Sequence, residues 1–321
     1  MAPSSILLEP TFIRLAHRVA PGRGEAVPAL FWIAAAFLAL AVSLETPLGG
    51  NAATLAATIV FIGGGLPHGA YDIALLAQTR RLGPLGMAIA LVAYILVAAA
   101  MVVMWTAAPV IALVVFLAAA AVHFGEDWTM LGEPMLKVAA GAAIVAAPAF
   151  GQTAAVTSLF AEMSDDRAGV VIAKILVAAA PVTLLVTAVG VAVAWREGSR
   201  AWAMATTVAL LLLVIAPPAM GFALFFVFLH SPRHFALTRD ALPTMSRLRW
   251  LMTGMAMSAT AIFGWLVLTR LVWTPPTLDL TAQAFQLLAA VALPHLLLSR
   301  WVTKHLALRS TAAPLNDGSP A

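Results

Sequence analysis

Residues 84–106 read PLGMAIALVAYILVAAAMVVMWT, an apolar run with no charged side chain. About 20 such residues, coiled as an α-helix, cross the ~30 Å hydrocarbon core of a bilayer. The pattern recurs along the chain. Apolar runs parted by charges or Pro/Gly breaks give ten candidate helices. They lie near residues 28–48, 53–79, 84–106, 108–128, 135–160, 168–195, 200–216, 220–238, 249–272 and 281–305. Two of the separations, at Ala107–Pro109 and Pro217–Pro218, rest on prolines that follow long apolar runs. Of 321 residues, 62% are hydrophobic and only 10% charged. Soluble domains carry about 25% charged residues, so an ordinary soluble fold is excluded. The expected fold is an all-α, polytopic transmembrane helical bundle of about ten spans.

Charge placement sets the expected orientation. With ten spans and the N-terminus inside, 15 Lys and Arg residues fall on inner segments. Only Arg167, Lys174 and Arg270 fall on outer ones. This asymmetry follows the positive-inside rule and puts both termini in the cytoplasm. The outer loop at 161–166 instead carries Glu162, Asp165 and Asp166. The net charge of +4 and pI of about 10.1 are thus assigned to inner helix ends, not to a nucleic-acid surface. Residues 1–27, with Arg14, His17, Arg18 and Arg23, are expected to form a cytoplasmic amphipathic arm and not a cleaved signal. Residues 28–305 are expected to form the transmembrane domain that holds the functional residues, and the small, polar segment 306–321 is expected to be a disordered tail.

Five of the seven histidines lie within apolar runs: His68, His123, His230, His234 and His295. Ionisable groups at membrane depth are costly and mark a site by default. All five occur on spans 2, 4, 8 and 10, which run from outside to inside, and all lie in the inner halves. A single such histidine is more often a hydrogen-bonded core residue. Five at matched depth argue for one centre. His17 and His305 sit at the edges of the chain's apolar region and read as interfacial.

The local motifs carry the same message. Span 2 ends Gly65-Leu66-Pro67-His68-Gly69-Ala70-Tyr71-Asp72, and span 4 ends His123-Phe124-Gly125-Glu126-Asp127-Trp128. In a regular helix, Asp72 and Asp127 would lie one turn after His68 and His123. Each could accept the proton of the histidine's non-ligating nitrogen and fix its tautomer, as a supporting carboxylate does in metal sites. Simple His–Asp hydrogen bonds explain each motif nearly as well. His230-Ser231-Pro232-Arg233-His234 places two imidazoles at i and i+4, a spacing common in metal chelation but weak alone. Arg233 is expected to reach the cytoplasmic interface and Asp240 to lie on the surface. Leu66-Pro67-His68 is repeated as Leu293-Pro294-His295. The Gly63–Gly65 run permits close approach of a helix or a flat ligand.

Cysteine is absent, so disulfides and thiolate ligands are excluded. An all-imidazole set suits iron, copper, zinc or nickel. Three classes remain at this point: a non-haem iron oxygenase acting on a lipid, a haem protein or other metal redox protein, and a metal- or proton-coupled transporter. Polar groups confined to the inner side count against the transporter, whose sites sit near the midplane between repeats. Phe222, Phe225, Phe226 and Phe228 crowd the approach to His230, with Phe124 and Trp128 beside His123. Such aromatics are usually packing residues, but they would also suit a conjugated ligand.

The ordered set Gly65-Leu66-Pro67-His68-Gly69-x-x-Asp72, His123-Phe124-Gly125-x-Asp127, His230-Ser231-x-Arg233-His234 and Pro294-His295 resembles the Brp/Blh family. This is the family of bacteriorhodopsin-related-protein-like membrane β-carotene 15,15′-dioxygenases. The resemblance runs from span 2 to span 10. It implies cleavage of the central double bond of β-carotene with O2 to give two all-trans-retinal. It implies Fe2+ held by His68, His123, His230 and His234, with Asp72, Asp127 and His295 in support. Phe124, Trp128, Phe226 and Tyr71 are the expected substrate contacts. β-Carotene, O2 and the lipid bilayer are the expected partners, with a functional link to a microbial rhodopsin. The expected location is the inner membrane of a bacterial or archaeal cell.

Overall fold

The computed structural model describes residues 27–80, 83–272 and 279–312. Residues 1–26 of the expected arm, His17 included, and residues 313–321 of the tail lie outside the described residues, as does the His305 side chain. The described chain is helical throughout, with no strands. Its helices are α1 (Ala29–Ser43), α2 (Asn51–Gly65), α3 (Asp72–Arg80), α4 (Pro84–Ala107), α5 (Pro109–Glu126), α6 (Pro134–Gly151) and α7 (Thr153–Met163). The second half comprises α8 (Asp166–Arg196), α9 (Arg200–Ile215), α10 (Pro218–Phe225), α11 (Ser231–Ala241), α12 (Arg247–Val267) and α13 (Leu280–Ala312). A 3₁₀ segment, Leu66–Tyr71, joins α2 to α3, and a π segment, Phe226–His230, joins α10 to α11.

Seven helices among the described residues are long and apolar enough to cross a membrane: 51–77, 84–107, 109–126, 134–151, 166–196, 247–271 and 280–298. The protein is therefore an all-α, multi-helix membrane protein. Three of the ten expected segments fall short by length or composition. α1 and α9 have 15 and 16 residues, about 22–24 Å of helix against a ~30 Å core. The run from α10 to α11 ends in Arg233, Arg239 and Asp240. The expected span at 135–160 is broken at Gln152, which leaves helical geometry with φ −127° and ψ 46°. There, Gly151 is pressed against the Val214 backbone so closely that a Cβ would collide with it. Gln152 Nε2 donates to the Ile215 carbonyl at 3.1 Å, satisfying an acceptor at the end of α9.

Small residues set the helix contacts. Without a hydrophobic drive between helices in lipid, association relies on close packing. A Cβ on Gly141 of α6 would strike the Ala121 carbonyl of α5, so the two backbones touch. α13 is the inner pillar, with Ala282, Phe285, Gln286 and Ala289 buried. α4 lies outermost and buries only Met101 and Trp105. Its exposed Leu85, Ile89, Ile95 and Leu96 make an apolar surface suited to lipid.

Candidate metal centre

Two irregular segments aim the histidines inward. Pro67 lacks an N–H and clashes with the carbonyl four residues back, so the chain tightens into the 3₁₀ segment that carries His68. Pro232 does the same to the turn before α11, and the chain widens into the π segment whose last residue is His230. Facing them, His123 sits in the last turn of α5, and His295 follows Pro294 inside α13. His234 lies one turn beyond His230 on α11, their ring centres 4.4 Å apart.

The five imidazoles that were scattered over four sequence segments thus meet in one cluster. Their donor nitrogens form two overlapping triads, His68/His123/His295 and His123/His230/His234. Within each triad the donor atoms lie within 4.8 Å of one another. Four of the five rings are buried, and His234 is half-buried.

The supporting carboxylates pair across helices and not along them. Asp127 Oδ2 accepts from His230 Nδ1 at 2.7 Å, and Asp127 Oδ1 stands 3.6 Å from His234 Nε2. Asp72 Oδ2 accepts from His295 Nδ1 at 2.7 Å. His68 Nδ1 instead donates to the Gly65 carbonyl, and His123 Nδ1 faces Glu126 Oε2 at 3.4 Å. The expected one-turn pairs, Asp72 with His68 and Asp127 with His123, do not form. The cause is local geometry. In a 3₁₀ turn of three residues, positions four apart do not share a face. Asp127 stands past the end of α5, and Glu126 lies nearer His123 in its place.

These bonds leave a demanding electrostatic arrangement. With its Nδ1–H held by Asp127, His230 turns the lone pair of Nε2 toward His123 Nε2, 3.1 Å away. Nε2 of His295 is buried with no hydrogen-bond partner. A cation among these nitrogens would take up such lone pairs and give the orphan a partner. The donor set therefore fits a metal ion.

An apolar cavity of about 30 Å³ borders the cluster, with His68 and His123 in its wall. Phe116, Phe124, Phe222 and Phe226 line it from α5, α10 and the π segment, and Ala289 and Ala292 from α13. Of the four aromatics read from sequence as substrate contacts, Phe124 and Phe226 border this space. Tyr71 instead stacks on Trp250 at 3.7 Å and donates to its carbonyl. Trp128 is buried against Leu131 and Ala140. The approach that the Gly63–Gly65 run allows is used by protein: a Cβ on Gly65 would collide with the Phe226 ring, and one on Gly64 with Val227. Arg233 does not simply reach outward. Its guanidinium lies 4.6 Å from the Trp202 ring centre and donates to Thr129 Oγ1 at 3.2 Å. Asp240 is exposed.

Two residues near the cluster escaped the sequence reading. Glu126 was passed over for its neighbour Asp127. Tyr94, whose hydroxyl lies near Asp72 and donates to the Val291 carbonyl at 3.5 Å, is one of only two tyrosines in the chain. A lone phenol within so apolar a run was a usable signal.

Fold and site together define a multi-helix membrane protein with a buried imidazole cluster able to hold a metal. Comparison with known proteins narrows this class. The profile of the beta-carotene 15,15'-dioxygenase family matches residues 57–303, a stretch that contains all five clustered histidines, and the chain belongs to that family. It is 28% identical over 260 residues to the beta-carotene 15,15'-dioxygenase of uncultured marine bacterium 66A03, covering 75% of this chain and 90% of that one. No solved structure matches it.

Proposed function

We propose that the protein is a membrane non-haem iron dioxygenase that cleaves the central 15,15′ double bond of β-carotene with O2 and releases two all-trans-retinal. The observation that carries this reading is the convergence of buried imidazoles beside an apolar cavity, in a chain that belongs to this family. His68, His123, His230 and His234 are the proposed iron ligands. Iron(II) bound there would supply a centre for binding and activating O2.

The chain's own groups do the rest. Asp127 holds the His230 ring in one tautomer, with Nε2 turned to the cluster. The Gly65 carbonyl does the same for His68. Phe124 and Phe226 exclude water and offer faces to a polyene. β-Carotene is about as long as the ~30 Å hydrocarbon core is thick and enters from lipid. The cavity of about 30 Å³ has room for a molecule the size of O2 and not for a polyene, so the substrate needs a wider opening than this conformation has. Tyr71 and Trp128 support the surrounding helices from behind.

The same proposal places the chain in the inner membrane of a bacterium or archaeon, with α1, α9 and the run from α10 to α11 as the short members of ten spans, both termini cytoplasmic and its retinal passed to a microbial rhodopsin. Alanine at each of the four ligand positions tests the ligand set. Each variant is expected to lose bound iron and retinal formation. Full iron content with normal activity in two of the four would overturn it.

A further inference from the structure

His295 stands where a ligand would stand. It is 5% exposed, its Nδ1 is bonded to Asp72, and its Nε2 has no hydrogen-bond partner. An orphaned buried nitrogen is costly and calls for a physical reason. In its triad with His68 and His123, as in that of His123, His230 and His234, the donor atoms all lie within 4.8 Å of one another.

Ring spacing gives a second, independent measure. An ion ~2.1 Å from an imidazole nitrogen lies ~3.2 Å from the ring centre. Rings sharing one ion then have centres ~4.5 Å apart when at right angles and ~6.4 Å apart when opposed. The His295 ring centre is 5.1 Å from that of His68, 5.3 Å from His123 and 6.3 Å from His234. All three values fall inside that window, as does the 4.7 Å between His123 and His230, while His230 and His234, at 4.4 Å, lie just under it.

The ring is also held firmly. It packs over Gly69, where a Cβ would touch Nδ1 at 3.4 Å. Asp72, the carboxylate that fixes it, opens α3 directly after the segment that carries His68. Carboxylate, imidazole and an unpartnered Nε2 aimed at a shared point form the arrangement that orients metal-binding histidines.

We propose that His295 is a fifth ligand of the ion held by His68, His123, His230 and His234, and that Asp72 is its positioning residue. This rests on the metal-centre reading above. It goes beyond it by binding α13, the inner pillar, directly to the ion and leaving fewer exchangeable positions there.

Cobalt(II) is the probe, because its visible bands report the donors around it. The full-length protein, stripped of metal in detergent, is titrated with Co2+ alone. Wild type is expected to bind one ion per chain. In His295→Ala the affinity falls at least tenfold and the bands shift, as water or a vacancy replaces a nitrogen donor. Added imidazole restores the wild-type bands. Asp72→Asn is expected to bind about 10–100-fold more weakly, with shifted bands and an unchanged melting temperature. Unshifted bands and unchanged affinity in His295→Ala would overturn the proposal. So would two ions in wild type, of which His295→Ala removes one. If His295→Ala does not fold, Asp72→Asn decides alone, and unshifted bands there overturn the proposal. A parallel titration of His68→Ala and His230→Ala separates the two levels of failure. If both bind Co2+ as wild type does, the metal-centre reading itself has failed.

Discussion

Replacing Asp127 with asparagine should weaken the metal site markedly. The buried carboxylate bonds His230 at 2.7 Å and lies 3.6 Å from His234, so it serves two of the four proposed ligands. Asparagine keeps the shape and can keep an acceptor for the His230 N–H, but it loses the charge. A hydrogen bond to a charged group is worth about 1.5–3 kcal/mol net, and a neutral one about 0.5–1.5 kcal/mol. The difference, about 1–1.5 kcal/mol, is roughly a tenfold loss in affinity at 1.4 kcal/mol per decade. Loss of the field at His234 takes the expected total to about 10–100-fold, the usual cost of removing such a partner. Glu126→Gln is the control. Its 3.4 Å contact with His123 involves a side chain one-third exposed, so it should change affinity by less than about threefold. Iron affinity is read by competition with a chelator, and retinal yield is compared at limiting and saturating iron. If Asp127→Asn lowers the melting temperature but leaves iron affinity within twofold of wild type, the carboxylate only joins helices and the reasoning is wrong.

Three further outcomes follow from the packing and the charge pattern. Gly65→Ala forces a Cβ into the Phe226 ring, which is stacked on His230 at 5.5 Å. It should cost about 1–3 kcal/mol and lower activity, with Phe226→Leu restoring much of both; a stable, active single variant would refute this. Ala292→Phe fills the cavity while leaving every histidine in the chain, so iron content should hold while retinal formation drops at least tenfold, and equal activity would show that the cavity takes no part. Reporter fusions after Arg81 and after Arg309 should both signal a cytoplasmic location, and a periplasmic signal from either would break the proposed orientation.

The helical, membrane-spanning character was fully legible, because bilayer burial leaves a compositional mark on every helix. The clustered histidines were legible for the complementary reason: a polar ring in an apolar run stands out. What linked them was not. Pairing Asp72 with His68 assumed 3.6 residues per turn through Pro67, and the proline produced a tighter turn that sent the carboxylate to His295, 223 positions away in sequence. Asp127 was likewise matched to His123 on its own helix, whereas its partner lies on the π segment. Distant pairing of this kind leaves no periodic trace. The break at Gln152 was equally hidden. It depends on Gly151 meeting the backbone of α9, a tertiary contact inside an apolar run that looked continuous.

Loaded with iron, this membrane-bound histidine cluster is proposed to split β-carotene at its centre. The direct measurement is retinal formation by membranes containing the chain, supplied with β-carotene and O2, before and after chelation of iron and after its return. Two retinal per β-carotene consumed, loss of product on chelation, and recovery with ferrous iron but not with zinc are the expected results. Retinal formation that persists without iron, or iron-loaded membranes that leave β-carotene intact, would contradict the proposal.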